Sequence, residues 1–402
     1  MNTTMPQDRA DDSRARRNAL LLSGGQALFT SNSIVIITTG GLIGSMLAPK
    51  MSLATLPVSF FVIGMAVSTV PASLLMGRIG RRAGFMFGAF TGMIAALVSA
   101  WAIYERSFAL FCLALMMSGT YQAFGQYYRF AAADTASERF KAKAISWVML
   151  GGIAAAFIGP AIVMLTKDMF APVTFVGCYF ASAILAVIAL VVMSFLDIPR
   201  QEVRHGQQTG RPLSEILRQP RLIVAMVAGM MSFGLMNFVM TATPIAMVDC
   251  GMSFDAAAWV IQWHVLAMYV PSFFTGSLIN RFGTLRMISL GMVLLAGAGL
   301  AAVLGIDFAN FAVALILLGV GWNFSFVGAT TMVTNYHLPA ERSKVQAVND
   351  FAVFTTVALS SLSSGTLLSF FGWQAVALSV FPIVLLVLVL VGWTSKAHVA
   401  VR

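Results

Sequence analysis

Two pairs of side chains in neighbouring apolar segments have the types and the spacing that could bind a soft metal ion. Met236 and Met240 lie four residues apart in one segment, and His264 and Met268 lie four residues apart in the next. In a helix this spacing places both members of a pair on one face, one turn apart. Thioethers are neutral, soft ligands that favour Cu(I), and imidazole also suits copper. The two pairs therefore predict a shared copper site that needs no carboxylate.

The same four residues have a simpler interpretation as packing residues. Methionine fills gaps in apolar cores, and the chain contains 25 of them. Two neutral amides are further candidates for contact with a substrate, because Asn237 falls within the methionine arc of its helix and Gln122 lies in an earlier apolar segment. The predicted binding set is Met236, Met240, His264, Met268, Asn237 and Gln122, of which the first four would hold the metal.

The composition predicts that these residues are positioned by membrane-spanning helices. Of the 402 residues, 59% are hydrophobic and only 10% are charged, whereas a soluble domain carries about 25% charged residues. Apolar runs of roughly 20 residues, long enough to cross a bilayer, recur along the whole chain. Twelve spans are predicted, at 18–43, 52–76, 83–103, 107–130, 143–165, 171–195, 221–247, 255–279, 285–305, 307–332, 345–368 and 372–393.

The distribution of basic residues predicts the orientation of these spans. If both termini face the cytoplasm, all of the 25 Lys and Arg residues except Lys50, Arg106 and Lys167 lie on the cytoplasmic side. This is the positive-inside bias of inner-membrane proteins. The net charge of +10 then reflects topology and attraction to anionic lipid, and it does not indicate a nucleic-acid partner.

The chain repeats itself at an offset of 203 residues. Arg78 and Gly80 match Arg281 and Gly283, and Glu138 matches Glu341. Two halves in the same orientation imply a parallel repeat of six spans each. The predicted division is a cytoplasmic tail at 1–17, a six-helix bundle at 18–196, a cytoplasmic linker at 197–220, a second six-helix bundle at 221–394 and a cytoplasmic tail at 395–402.

The loops after spans 2 and 8 carry a family resemblance. The first reads SLLMGRIGRR from Ser73, the second reads GSLINRFG from Gly276, and both resemble the signature loop of the major facilitator superfamily. The resemblance implies an all-α membrane protein of that fold, with twelve transmembrane helices in two six-helix bundles and transport by alternating access. Gly77 and Asn280 stand where the family pattern has an aspartate, so a charged latch would be weaker here. Arg78 and Arg281 are candidates for gating.

The segments that carry the two ligand pairs resemble a subgroup of that family. FGLMNFVMTATPIAM and IQWHVLAMY are similar to spans 7 and 8 of the CcoA-type copper importers of bacteria. The resemblance implies a monomeric carrier of the inner membrane that brings copper from the periplasm for assembly of cbb3-type cytochrome c oxidase. Copper would be the cargo, with no resident cofactor, and a copper chaperone or a P-type ATPase could act downstream.

Other functions remain open at this point, and two classes are disfavoured. The alternatives are an efflux carrier for hydrophobic organic compounds, with the methionine stripe as an adaptable apolar wall, and a copper-binding sensor or assembly factor that does not transport. No carboxylate lies deep in any predicted span, which argues against a proton-coupled sugar or peptide carrier. No paired carboxylates, nucleophile–base set or phosphate loop occurs in a plausible site, so an enzyme is not expected.

Overall fold

Helices make up nearly all of the described chain. The computed structural model describes residues 5–137, 140–198, 210–338 and 341–399, with side chains except at 5–12, 133, 141–143, 342–343 and 395–399; the repeat position Glu138 therefore lies outside the described residues. The helices are α1 (Met5–Leu47), α2 (Leu56–Ile79), α3 (Arg81–Tyr104), α4 (Phe108–Gly125), α5 (Tyr128–Asp134), α6 (Lys141–Thr166), α7 (Val176–Ser194), α8 (Leu213–Ile216), α9 (Pro220–Asp249), α10 (Phe254–Tyr269), α11 (Ser272–Phe282), α12 (Thr284–Leu304), α13 (Phe308–Thr334), α14 (Arg342–Leu378) and α15 (Val380–Val399).

The predicted all-α membrane architecture is confirmed. Ten helices of the described chain are long and apolar enough to cross a bilayer, and the bent pair α10 and α11 makes eleven if the two helices cross as one span. The predicted twelfth span, 372–393, falls on the end of α14 and on the shorter apolar stretch Val380–Thr394. The chain turns inside α14 at Gly372, whose φ of +76° is readily adopted only by glycine.

Contacts divide the chain into two compact units. The first unit comprises residues 1–43 and 60–203, and the second comprises residues 44–59 and 204–402. The predicted bundle limits of 18–196 and 221–394 stay a prediction. The segment 44–59 packs within the second unit, because the Thr55 hydroxyl donates to the Ser361 carbonyl (2.9 Å) and the Ser59 hydroxyl donates to the Ser361 hydroxyl (3.0 Å).

Glycines allow α2 and α4 of the first unit to approach closely. A Cβ atom added at Gly64 would overlap the carbonyl oxygen of Met116, and one added at Gly119 would overlap the carbonyl oxygen of Phe61. Small residues at facing positions are a common basis of helix packing in membranes, since apolar side chains gain nothing from leaving a lipid environment. The close approach of the two backbones therefore stabilises the contact between α2 and α4.

Two arginines at the loop between α2 and α3 lie in different surroundings. Arg78, a predicted gating residue, is exposed, whereas Arg81 forms an ion pair with Asp134 at the end of α5. In the second unit the guanidinium of Arg281 lies 5.3 Å from the ring centroid of Phe282. The gating roles of Arg78 and Arg281 stay predictions.

Candidate substrate-binding site

Met236 and Met240 lie on a buried face of α9 that turns toward α13. Their side chains are 1% and 8% exposed. At 100° per residue they fall within about 60° of Phe233 on the helix, and the ring of Phe233 contacts Trp322 and Phe326 of α13. The sequence therefore places this methionine pair correctly on one face, and that face is a packed one.

His264 of α10 also turns toward α13, and a backbone group occupies one of its ring nitrogens. The Nδ1 atom lies 2.7 Å from the carbonyl oxygen of Leu315, and a carbonyl only accepts, so Nδ1 carries the proton. The Nε2 atom is buried and has no hydrogen-bond partner among the described residues. Met268, one turn later, is half-buried. Both predicted pairs thus face the same neighbouring helix.

The geometry at α10 and α11 depends on Asn323 of α13, which is fully buried. Its amide nitrogen donates to the carbonyl of Met268 (2.8 Å) and to the hydroxyl of Ser272 (2.6 Å), and its amide oxygen accepts from Thr275 (2.6 Å). These bonds bridge the 43° break between the two helices, where helical hydrogen bonds are interrupted. Asn323 therefore supports the position of Met268.

The two predicted amides lie in different units. Asn237 is buried on α9, and its amide nitrogen donates to the carbonyl of Val357 on α14 at 3.4 Å, so it links two helices. Gln122 lies on α4 in the first unit, half-buried, and its amide oxygen accepts from the Ser33 hydroxyl at 2.6 Å. The amide NH₂ of Gln122 thus remains as a donor beside α1.

Sequence reasoning missed an aromatic cluster formed by α9, α13 and α14. We define the aromatic cluster as Phe233, Trp322, Phe326 and Phe354, all half-buried. The rings of Trp322 and Phe326 are stacked, with centroids 5.2 Å apart and planes 12° apart. Phe233 packs edge-on against both, at 5.4 and 5.2 Å, and Phe354 lies 6.3 Å from Phe233. Edge-on and offset contacts of this kind are favourable for aromatic rings.

The repeat provides the signal that could have revealed this cluster. The helices α4 and α13 begin with matching segments, FALF and FANF, that lie 200 residues apart, and the glycines that approach the neighbouring helix, Gly119 and Gly319, keep the same offset. At this offset Trp322 and Phe326 correspond to two amides, Gln122 of α4 and Gln126 at its C-terminal end. A comparison of these two helices would have marked both rings as a feature of the second half.

A separate cavity of about 600 Å³ lies in the second unit. It is bounded by α9, α14, α15 and the segment 52–56, and its lining includes Phe238, Thr356, Ser363 and Phe371, but none of the six predicted binding residues. The hydroxyls of Thr356 and Ser363 donate to carbonyls of their own helix at 2.9 and 2.7 Å. They therefore offer only lone pairs to a ligand.

Known proteins similar to this chain are transporters. A family model described as Major Facilitator Superfamily matches residues 20–246 and 225–400. Riboflavin transporter RfnT of Brucella anthropi is 49% identical over 381 residues, which cover 94% of this chain and 96% of that protein. The uncharacterized transporter YddS of Bacillus subtilis is 28% identical, with 89% of this chain and 86% of that protein covered.

Solved structures support the fold. The human organic anion transporter MFSD10 (TETRAN) aligns with a TM-score of 0.68 at 15% identity, covering 94% of this chain and 99% of that one. The transporter FucP in its outward conformation aligns with a TM-score of 0.63 at 13% identity, covering 94% and 98% of the two chains. These identities are too low to carry information about cargo.

The comparisons correct the predicted cargo. The prediction of a copper importer of the CcoA type that supplies cytochrome oxidase assembly is wrong, because a relative 49% identical over nearly the whole chain is a riboflavin transporter. Copper as a partner is wrong for the same reason. The binding roles of Met236, Met240, His264 and Met268 stay predictions. Among the described residues, no group of three or more His, Cys, Asp or Glu side chains is placed to hold a metal.

The coarser predictions are confirmed. The chain is a multi-pass membrane transporter and not an enzyme. The family match spans both halves of the repeat, and the solved structures share the same helical architecture. The chain belongs to the major facilitator superfamily.

Proposed function

We propose that this protein carries riboflavin, or a flavin very close to it, across the bacterial inner membrane. The main support for the proposal is the 49% identity to a riboflavin transporter over 94% of the chain. This similarity extends through both halves, so it includes the helices on which substrate-contacting residues of a transporter are found.

The charge distribution agrees with a neutral cargo. Riboflavin joins a flat three-ring system to a chain of hydroxyls and carries no net charge at neutral pH. Among the described side chains, no Asp, Glu, Lys or Arg is buried within a membrane span, since the buried Glu341 precedes α14. A charged group deep in the bilayer is costly and is retained where a charged cargo or ion requires it. A neutral aromatic cargo requires none.

The polar residues of α1 and α4 suit the hydroxyl chain. Gln122 and Ser33 form a hydrogen-bonded pair, and the Gln26 amide donates to the Thr30 hydroxyl at 2.9 Å. Amides and hydroxyls both donate and accept, which matches a polyol better than a charged side chain would. We therefore keep Gln122 as a proposed substrate contact within the first unit.

Uptake into cells and into liposomes tests the proposal. A bacterial strain that cannot make riboflavin, expressing this chain, is expected to grow at lower external riboflavin and to accumulate labelled riboflavin faster than the same strain with an empty vector. Purified protein in liposomes is expected to equilibrate riboflavin across the bilayer. Folded, monodisperse protein that moves no riboflavin above protein-free liposomes would refute the proposal.

A further inference from the structure

We propose that the aromatic cluster is the binding place of the isoalloxazine ring, with Phe326 as the stacking surface and the Trp322 indole N–H as the donor to an acceptor on the ring edge. This inference rests on the proposed flavin cargo, and it names the residues that would recognise it. It concerns the second unit alone.

The geometry of the Trp322–Phe326 stack leaves aromatic surface for a ligand. Stacked carbon atoms touch at about 3.5–4 Å, whereas the two centroids are 5.2 Å apart with nearly parallel planes. The rings are therefore offset, and neither covers the whole face of the other. A flat ring lying on the uncovered part of Phe326 would lie close to the plane of the indole. The indole N–H lies within that plane.

The Trp322 N–H is a donor without an acceptor. Its nitrogen is buried from solvent and has no hydrogen-bond partner among the described residues. By contrast, the indole N–H of Trp373 donates to the carbonyl of Ala302 at 3.2 Å. A buried donor left unpaired is unfavourable, and tryptophan N–H groups usually find a partner. Flavins present carbonyl oxygens and ring nitrogens on their edge, and these would satisfy it.

The fold itself does not require rings at these positions. Core aromatics such as Phe111 and Phe311 are essentially fully buried, whereas all four members of the aromatic cluster keep part of their surface accessible. In the first unit, the positions that correspond to Trp322 and Phe326 are Gln122 on α4 and Gln126 at its C-terminal end, 200 residues earlier. The equivalent helix thus forms with no ring at either position, so the scaffold does not require these two rings.

Equilibrium binding to purified protein tests the site with riboflavin and with lumiflavin, which has the same ring system and a methyl group in place of the hydroxyl chain. Trp322→Phe keeps an aromatic ring and removes the N–H, and Phe326→Leu removes the stacking surface. Each is expected to raise the dissociation constant of both probes by roughly 3- to 10-fold, the range of a lost hydrogen bond or aromatic contact. Trp263→Phe makes the same chemical change at an exposed residue of α10 and is expected to leave both constants unchanged.

The possible outcomes distinguish an error in the proposed binding site from an error in the proposed cargo. If the unmodified protein transports riboflavin but both variants bind like Trp263→Phe, the site is wrong and the proposed function stands. If Trp322→Phe weakens riboflavin binding but not lumiflavin binding, the cluster contacts the hydroxyl chain and the ring assignment fails. If the unmodified protein binds neither probe and transports no riboflavin, both proposals fail. Trp322→Phe is conservative enough to remain informative if Phe326→Leu does not fold.

Discussion

The carboxylate of Glu341 and the guanidinium of Arg211 form a two-point ion pair at the start of α14. Arg211 donates through Nε to one carboxylate oxygen at 2.8 Å and through Nη2 to the other at 2.9 Å. The backbone N–H groups of Arg211 and Leu338 also donate to this carboxylate, at 3.0 and 2.9 Å. Glu341 is fully buried by these contacts. The end of the segment between the two halves is thereby fixed to the loop between α13 and α14.

This ion pair predicts an acid-sensitive contribution to stability. Hydrogen bonds from Arg211 and Leu338 lower the pKa of Glu341 from its ordinary value of 4.5 to about 2. A lowered carboxyl pKa gives stability that is complete above pH 4.5 and is lost as the pH falls toward 2. Glu341→Gln is expected to lower the melting temperature in detergent at pH 7 and to converge with the unmodified protein as the pH falls below 4.5. Glu215→Gln, at an exposed position of α8, is the control; equal melting curves for both variants at pH 7 would contradict the assignment.

A second prediction concerns the break between α10 and α11. Asn323→Leu keeps the approximate size of the side chain but removes three hydrogen bonds, leaving the Ser272 and Thr275 hydroxyls and the Met268 carbonyl without these partners. The cost is expected to be about 1–3 kcal/mol, measured by thermal or denaturant unfolding in detergent. Asn310→Leu removes a single bond, to the carbonyl of Ala301, and should cost less. An Asn323 variant as stable as the Asn310 variant would show that the network contributes little.

A third prediction tests the close approach of α2 and α4. Gly119→Ala places a methyl group where the Phe61 carbonyl lies, so the helices must separate. Overpacking of this kind costs typically about 1–3 kcal/mol, and we expect a lower melting temperature and poorer yield. Gly24→Ala is the matched control, because a Cβ there has no neighbour within 4 Å. The packing argument fails if the two variants behave alike.

A fourth prediction tests the orientation of the chain with its own cysteines. Cys250 is exposed at the end of α9, whereas Cys112 and Cys178 are buried. If both termini are cytoplasmic, Cys250 faces the periplasm, and an impermeant maleimide added to spheroplasts labels it. Partial burial, aided by the Asp249 carboxylate, raises the pKa of this thiol, so labelling is slow at pH 7 and accelerates as the pH rises. Labelling only after lysis would show that the chain has the opposite orientation. The Cys250→Ser variant measures the labelling that does not come from Cys250.

A fifth prediction follows from the corrected cargo. Met236→Leu, Met240→Leu and Met268→Leu combined preserve apolar volume and remove all three thioethers. Swaps of this kind usually cost less than about 1.5 kcal/mol each. Cells expressing the triple variant are expected to hold the same copper content as cells expressing the unmodified protein, and riboflavin uptake is expected to persist. A fall in copper content at equal expression would reinstate a metal role for the thioethers.

The spans were predictable because membrane insertion leaves a strong compositional signal, but the bend inside one of them was not. The sequence predicted one span over 255–279, and Pro271 lies where the structure breaks it into α10 and α11. A proline alone does not specify a break. The angle is supported by Asn323, which lies about 50 residues away in sequence, and no local pattern connects the two.

The cargo was misjudged because metal binding and helix packing use the same spacing. Residues four apart share a face whether they coordinate an ion or pack against a neighbour. The structure places Met236 beside Phe233 on the packed face of α9 and gives Nδ1 of His264 a backbone partner in Leu315. The aromatic cluster escaped notice for the opposite reason, since its rings come from three helices that are distant in sequence and share no motif.

Amides in one half of the chain stand at the repeat positions of rings in the other half. Gln122 on α4 and Gln126 at its C-terminal end correspond to Trp322 and Phe326 on α13, and both helices form. The same helix position can therefore hold a polar or an aromatic side chain without loss of the scaffold. Exchange of a few side chains in one half can change what such a chain carries while the architecture stays intact.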